Sequence, residues 1–134
     1  MAGRCSLRRR LLDERGSAVV ESSLVLVLLV VLLLALLQLG FALHVRNTLV
    51  ASAAEGARYA ANADRSPEEG AARTRVLVAG ALGDEYATDV VAGTEIVAGV
   101  TTVVVVIQAP LPILGPLGLA DGLVVRGHAF EELG

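Results

Sequence analysis

From Ser22 to Leu43 the chain carries no charged residue, and Leu24 to Leu37 is unbroken Leu, Val and Ala. As a helix rising about 1.5 Å per residue, that stretch spans about 33 Å, enough for about 30 Å of bilayer hydrocarbon. The pattern predicts a membrane helix. Beyond it the period becomes that of an amphipathic helix. At about 100° per residue, Leu49, Val50, Ala53, Gly56, Ala57, Ala60 and Ala61 share one face, and Asn47, Thr48, Glu55, Arg58 and Asn62 share the other. The apolar face is nearly all small residues, which let another element approach the backbone. It suits packing on a sheet of the same domain, or helix–helix packing between subunits.

A break at Asn62–Ala63–Asp64–Arg65 precedes a second helix start. Ser66 is placed as N-cap, Pro67 at the first helical position and Glu69 at the third. This helix is expected over Pro67–Leu82, stopped by Gly83, with Ala72, Val76, Ala79 and Leu82 as its apolar face. The chain then turns β. Asp89–Val97 is rich in β-branched residues around Ala92–Gly93, a bulge or a turn. Ala98–Gly99 is a further turn. Val100–Gln108 is apolar through its middle and is placed as the central strand. Leu111–Gly122 reads as a Pro/Gly-rich loop, and Leu123–Phe130 as the last strand.

Composition sharpens the picture at three points. The chain is 54% hydrophobic, above the roughly 45–50% of soluble domains, and this excludes a disordered chain. The formal net charge is −3, and no basic patch is interleaved with aromatics, so no nucleic-acid partner is expected. The charge is also unevenly spread. Residues 1–16 hold Arg4, Arg8, Arg9, Arg10 and Arg15 against Asp13 and Glu14, whereas acids outnumber Arg in the remainder. Cationic residues beside a membrane segment stay in the cytoplasm, which places the N-terminus inside and the C-terminal domain outside. The lone Cys5 precedes the apolar run, so it makes no structural disulfide and is not a lipoprotein cysteine.

The run is longer than the 7–15 residues of a secretory signal, and Gly40–Phe41–Ala42–Leu43–His44 fits a cleavage site poorly. A retained helix is expected. It opens on Arg15–Gly16–Ser17–Ala18–Val19–Val20–Glu21. A carboxylate at the edge of a bilayer segment is costly and needs a reason. Taken alone, Glu21 also suits a helix N-terminus, where the macrodipole favours an acid.

A basic leader ending in Gly, then Glu five residues on within an apolar helix, resembles the class III signal of type IV prepilins. The fuller set is Arg15 to Leu26, Gln38–Leu39–Gly40–Phe41 and Ala54–Glu55–Gly56–Ala57–Arg58–Tyr59–Ala60. It resembles the TadE family, small pilin-like proteins of the tight-adherence (Tad, or Flp) pilus system. The likeness covers about residues 15–61. Ser22 stands where the family often has Phe or Tyr, and Val27 where a Pro is common. The resemblance implies a processing site between Gly16 and Ser17, cut by a prepilin peptidase, and an assembly role for Glu21 against the new α-ammonium of a neighbouring subunit. It also marks Glu55, Gly56, Ala57, Arg58 and Tyr59 as family motif, and implies other pilin-like subunits and an ATPase-driven inner-membrane assembly platform as partners. From the residues themselves, Arg58 is an intrahelical partner of Glu55 at i, i+3.

No chemistry competes with this reading. His44 and His128 read as interfacial or surface side chains. No His, Cys and carboxylate set has metal spacing, the Gly residues form no phosphate loop, and Ser22 and Ser23 lack a base. No catalytic, cofactor or metal site, and no enzyme activity, is expected.

The expected fold is α+β. A long N-terminal transmembrane helix continues into a small pilin-like domain with a short helix and a roughly three-stranded antiparallel sheet. The expected division is a cytoplasmic, cleaved leader over 1–16, the transmembrane helix over 17–44 and an extracytoplasmic domain over 45–134. The expected function is that of a minor pilin or pseudopilin in assembly of a Tad-type pilus or related secretion machine, in the cell membrane or a surface pilus. The alternative is an uncleaved single-pass membrane protein with an extracytoplasmic partner-binding domain.

Overall fold

The computed structural model describes residues 3–62, 64–110 and 122–131, with side chains from Gly16 onward. The fold is α+β: helix α1 (Gly3–Ala61), helix α2 (Pro67–Leu82), a single 3-10 turn (Asp84–Tyr86), and strands β1 (Asp89–Val97), β2 (Val100–Ala109) and β3 (Leu123–Phe130). Helix α1 therefore begins well before the apolar run, inside the basic leader. The loop expected over Leu111–Gly122 lies, up to residue 121, outside the described residues. The chain divides into two compact units, Met1–Leu37 and Gln38–Gly134.

The first unit is helix. Between Val19 and Leu37 its Val and Leu side chains are all 48–66% exposed. The most apolar window of Gly16–Ala61 has a mean hydropathy of 3.1 with none of it buried, so the helix is long and apolar enough to cross a membrane. A continuous apolar surface of this kind needs lipid or protein around it. Ser23 hides its polar group within the helix, its hydroxyl donating to the Val19 carbonyl at 2.8 Å.

The second unit holds the core. The sheet order is β1-β2-β3, antiparallel throughout, with β2 central as its apolar run predicts. Pairing from Asp89↔Gln108 to Val97↔Val100 is unbroken, so Ala92–Gly93 is neither bulge nor turn: Gly93 stands directly opposite Val104. The reversal sits at Ala98–Gly99, where φ is 52° and 82°. Positive φ at both residues of a two-residue loop matches the right-handed strand twist.

One face of the sheet is buried. Val90, Val105, Ile107 and Val125 form a cluster with Val45, Leu49, Ala53 and Ala57 of α1 and with Ala71 and Val78 of α2. A smaller cluster joins Ala60 and Ala61 to Val103. Each buried Val, Leu or Ile contributes roughly 1.5–3 kcal/mol. The small-residue face of α1 is thus engaged within its own domain. Gly127 of β3 lies so close to the backbone of Ala53 that a Cβ there would stand 2.5 Å from the Ala53 carbonyl oxygen.

Helix α2 begins as its sequence predicts. Ser66 Oγ accepts from the Glu69 N–H at 3.3 Å, and Glu69 Oε2 accepts from the Ser66 N–H at 2.9 Å. Gly83, at φ 114°, ends it, its N–H donating to the Ala79 carbonyl. The buried face is only in part the expected one: Leu82 packs against the core and Ala79 is half-buried. Gly70, Ala71, Thr74 and Val78 are buried, while Ala72 and Val76 face solvent. The reason is the closeness of α1. Gly70 admits the Gly56 backbone, and Thr74, its hydroxyl donating to the Gly70 carbonyl at 2.8 Å, fills the space beside Gly56. Small residues, not large apolar ones, mark this contact. Arg75 then ties α2 to the sheet, Nη2 donating to the Val90 carbonyl at 2.6 Å.

Candidate functional site

Two sets of residues carry the functional expectations, one in each unit. In the first, Gly16, Ser17 and Glu21 lie on α1 and are exposed. A Cβ built on Gly16 meets nothing within 4 Å, so among the described residues its lack of a side chain answers no need of packing. Glu21 follows Ser17 by four residues, one helical turn. Its carboxylate has no hydrogen-bond or ion-pair partner among the described residues.

The second set is Glu55–Gly56–Ala57–Arg58–Tyr59 near the end of α1. The helix splits these residues by role. Gly56 and Ala57 are buried, Gly56 at the crossing with α2 and Ala57 in the main core. Glu55 and Arg58 point outward and pair at 3.3 Å across i, i+3, with side chains 50% and 68% exposed. An exposed pair of this kind contributes only a few tenths of a kcal/mol. Tyr59 is half-buried, and the Arg65 guanidinium lies over its ring, 4.7 Å from the centroid.

The outward residues line an open groove of about 510 Å³. Glu55, Arg58, Tyr59 and Asn62 form one wall, and Ala129 and Phe130 at the end of β3 form the other. Phe130 is 66% exposed, a large aromatic left in water. No local pattern in the sequence joins residues 55–62 to residues 129–130. The signal that could have found them is Gly127: a glycine within a strand marks close approach of another backbone, and that backbone is Ala53.

Charge around the groove is mixed. Arg65 also pairs with Glu69 at 3.2 Å. The Glu69 carboxyl is held below the ordinary carboxylate range, first by the Ser66 backbone N–H and then, against slight desolvation, by Arg65. His44 and His128 are exposed. Among the described residues no group of three His, Cys, Asp or Glu side chains could hold a metal ion.

No curated protein and no solved structure gives a significant match to the chain. A family model does. The match takes in Gly16, Ser17 and Glu21 and reaches Glu55–Gly56–Ala57–Arg58, stopping one residue short of Tyr59. Over residues 16–58 the chain is similar to a family model described as TadE-like protein, and that stretch includes the helix long and apolar enough to cross a membrane.

Proposed function

We propose that the chain is a minor pilin or pseudopilin that takes part in assembly of a Tad-type pilus or a related secretion machine. The observation that carries this reading is where the TadE-like match falls: it starts at Gly16, spans the apolar helix and reaches the Glu55–Arg58 motif. In this reading a prepilin peptidase cuts between Gly16 and Ser17 on the cytoplasmic side. Residues 17–44 stay in the membrane, and residues 45–134 lie outside it. The basic leader, residues 1–16, sets that orientation. Other pilin-like subunits and the inner-membrane assembly platform are the partners. The protein's role is structural, with no reaction of its own.

The exposed Gly16 supports the reading. A peptidase working at the membrane face needs room beside the scissile bond, and no packing among the described residues calls for a glycine there. The test is N-terminal sequencing of the protein purified from membranes and from sheared surface appendages. A start at Ser17 is expected, with Gly16→Leu inserted but uncut. Wild-type protein that keeps its leader in both fractions would overturn the proposal.

A further inference from the structure

The three-stranded sheet has two free edges, and its hydrogen bonding shows which groups each edge offers. The Glu131 N–H donates to the Thr101 carbonyl at 3.0 Å. Residues 125, 127, 129 and 131 therefore turn their backbone groups toward β2. Val124, Arg126, His128 and Phe130 turn theirs outward. At the other edge the Val90 carbonyl is taken by Arg75. By the same alternation, Ala92, Thr94 and Ile96 of β1 present unpaired N–H and C=O groups. Such edges are templates for another strand. Neither carries a Pro, a Lys or a bulge to prevent pairing.

The edges are complementary. On the outer face of the sheet, β1 carries Asp89 and Glu95 and β3 carries Arg126 and His128. Glu95, Arg126 and His128 are exposed and have no ion-pair partner among the described residues. Strands β1 and β3 run parallel, since each is antiparallel to β2. A neighbouring copy whose sheet repeats the same orientation offers its β1 parallel to β3.

We infer that the chain associates with a second copy of itself by parallel pairing of β1 of one copy with β3 of the next, with Ile96 of the incoming strand set against Ala129 on the side of the groove that Tyr59 lines. Charge and register point to the same alignment. With Glu95 opposite His128, Arg126 falls opposite Gly93, where a Cβ would meet nothing within 4 Å, and lies diagonal to Glu95. Phe130 falls opposite Val97. On the inner face the same register sets Ile96 beside Ala129, a wall of the groove. Ile96 is 79% exposed, the most exposed of the large apolar side chains in the described structure. Ile96 thus loses its exposure by covering Ala129, with Tyr59 at the near side of the groove. The contact is heterologous, edge one to edge two, so it repeats from copy to copy rather than closing on a pair.

This extends the proposed function by naming the chain's partner as its own copy, and rests on that reading only for placing the copies in one membrane. Its test is read in membranes, without piliation or processing, so the two succeed or fail separately. The full chain carrying Cys5→Ser, Glu95→Cys and His128→Cys is expressed in membranes and treated with a mild thiol oxidant. Within one copy the two positions are separated by β2, about 9.5 Å sideways at the usual strand spacing, and are also offset by two residues along it, beyond the roughly 7 Å that a disulfide spans. Across the proposed contact they are neighbours. A ladder of dimers and higher oligomers that collapses on reduction is expected. Adding Ile96→Asp should cut the ladder several-fold with the helical and sheet content unchanged, because Ile96 lies outside the core. Only monomers from the Glu95→Cys, His128→Cys chain would overturn the contact. So would an equal ladder from Val91→Cys with His128→Cys, four residues out of register. A ladder indifferent to Ile96→Asp would overturn the placing of Ile96 against Ala129.

Discussion

Gly56 and Gly70 meet backbone to backbone where α1 and α2 cross: a Cβ on Gly70 would stand 2.6 Å from the Gly56 carbonyl oxygen, and one on Gly56 would stand 2.8 Å from that of Gly70. Distances this short to backbone cannot be relieved by a rotamer change. Within Glu55–Tyr59, Gly56 is thus explained by packing inside one chain.

The first prediction follows. Gly56→Ala gains up to about 1 kcal/mol of helix propensity. It loses more by forcing two helices apart, typically about 1–3 kcal/mol for overpacking. Thermal unfolding of the full chain in detergent, followed by far-UV circular dichroism, should show Tm lowered by several degrees. Gly80→Ala, in the same α2 but with nothing within 4 Å of the new methyl, should leave Tm unchanged or raise it. Equal effects from the two substitutions would refute the crossing.

Gly127 and Gly93 make a second pair of opposites, on the two faces of one sheet. A methyl on Gly127 would run into the Ala53 backbone, whereas one on Gly93 meets open space. Gly127→Ala should therefore destabilise the domain by roughly 1–3 kcal/mol, and Gly93→Ala should be neutral or slightly stabilising. Limited proteolysis is a convenient measure. Faster cleavage near the end of α1 in Gly127→Ala, with Gly93→Ala as wild type, is the expected result.

These glycines also explain what was and was not legible in the sequence. The boundaries of α2 and β3, the central place of β2 and the Ala98–Gly99 turn rest on local signals: a capping box, a β-branched run, a two-residue loop. They could be read one segment at a time. The buried face of α2 could be read only in part. Hydrophobicity points rightly to Leu82, which packs against the core, but wrongly to Val76; near α1 the neighbour is a helix at glycine distance, so Gly70, Ala71 and Thr74 suit it by size. Gly93 misled in the other direction, suggesting a bulge in a strand that pairs without a break. The site was half legible. Gly16, Glu21 and residues 55–59 stand out in the linear pattern. Ala129 and Phe130, which face Glu55, Arg58 and Tyr59 across the groove, are brought there by the sheet and the close approach at Gly127.

The start of α2 should respond to acid. The folded-state pKa of Glu69 is lowered, chiefly by the Ser66 N–H it accepts. For a carboxyl with a depressed folded pKa, the stabilisation is fully present above the unfolded value and is lost as pH falls through the folded one. Stability should therefore decline as pH drops below the ordinary carboxylate range, and Glu69→Gln should flatten that part of the profile. Ser66→Ala should cost about 1 kcal/mol at neutral pH. Denaturant melts at neutral and acidic pH separate these cases: an equal acid response in wild type and Glu69→Gln would show that the capping carboxylate does not contribute.

Glu21 provides the sharpest test of the assembly reading. After the proposed cut, Ser17 carries an ammonium one helical turn before a carboxylate that has no partner among the described residues. The next residues along the helix carry no charge, so its counter-ion is its own N-terminus or that of a neighbour. In low dielectric such a pair attracts far more strongly than in water, though desolvation opposes it. In the assembly reading its use is register: it would stop greasy helices from sliding past one another. Glu21→Ala should insert at least as well as wild type, because a costly charge is gone. It should still be cut after Gly16. It should fail at association, seen as lost co-purification with other pilin-like subunits and as lost surface fibres. If Glu21 only complements the helix dipole, the change removes about 0.3–1 kcal/mol and assembly proceeds. Normal fibres from Glu21→Ala would therefore remove Glu21 from assembly and leave processing at Gly16 to be judged on its own.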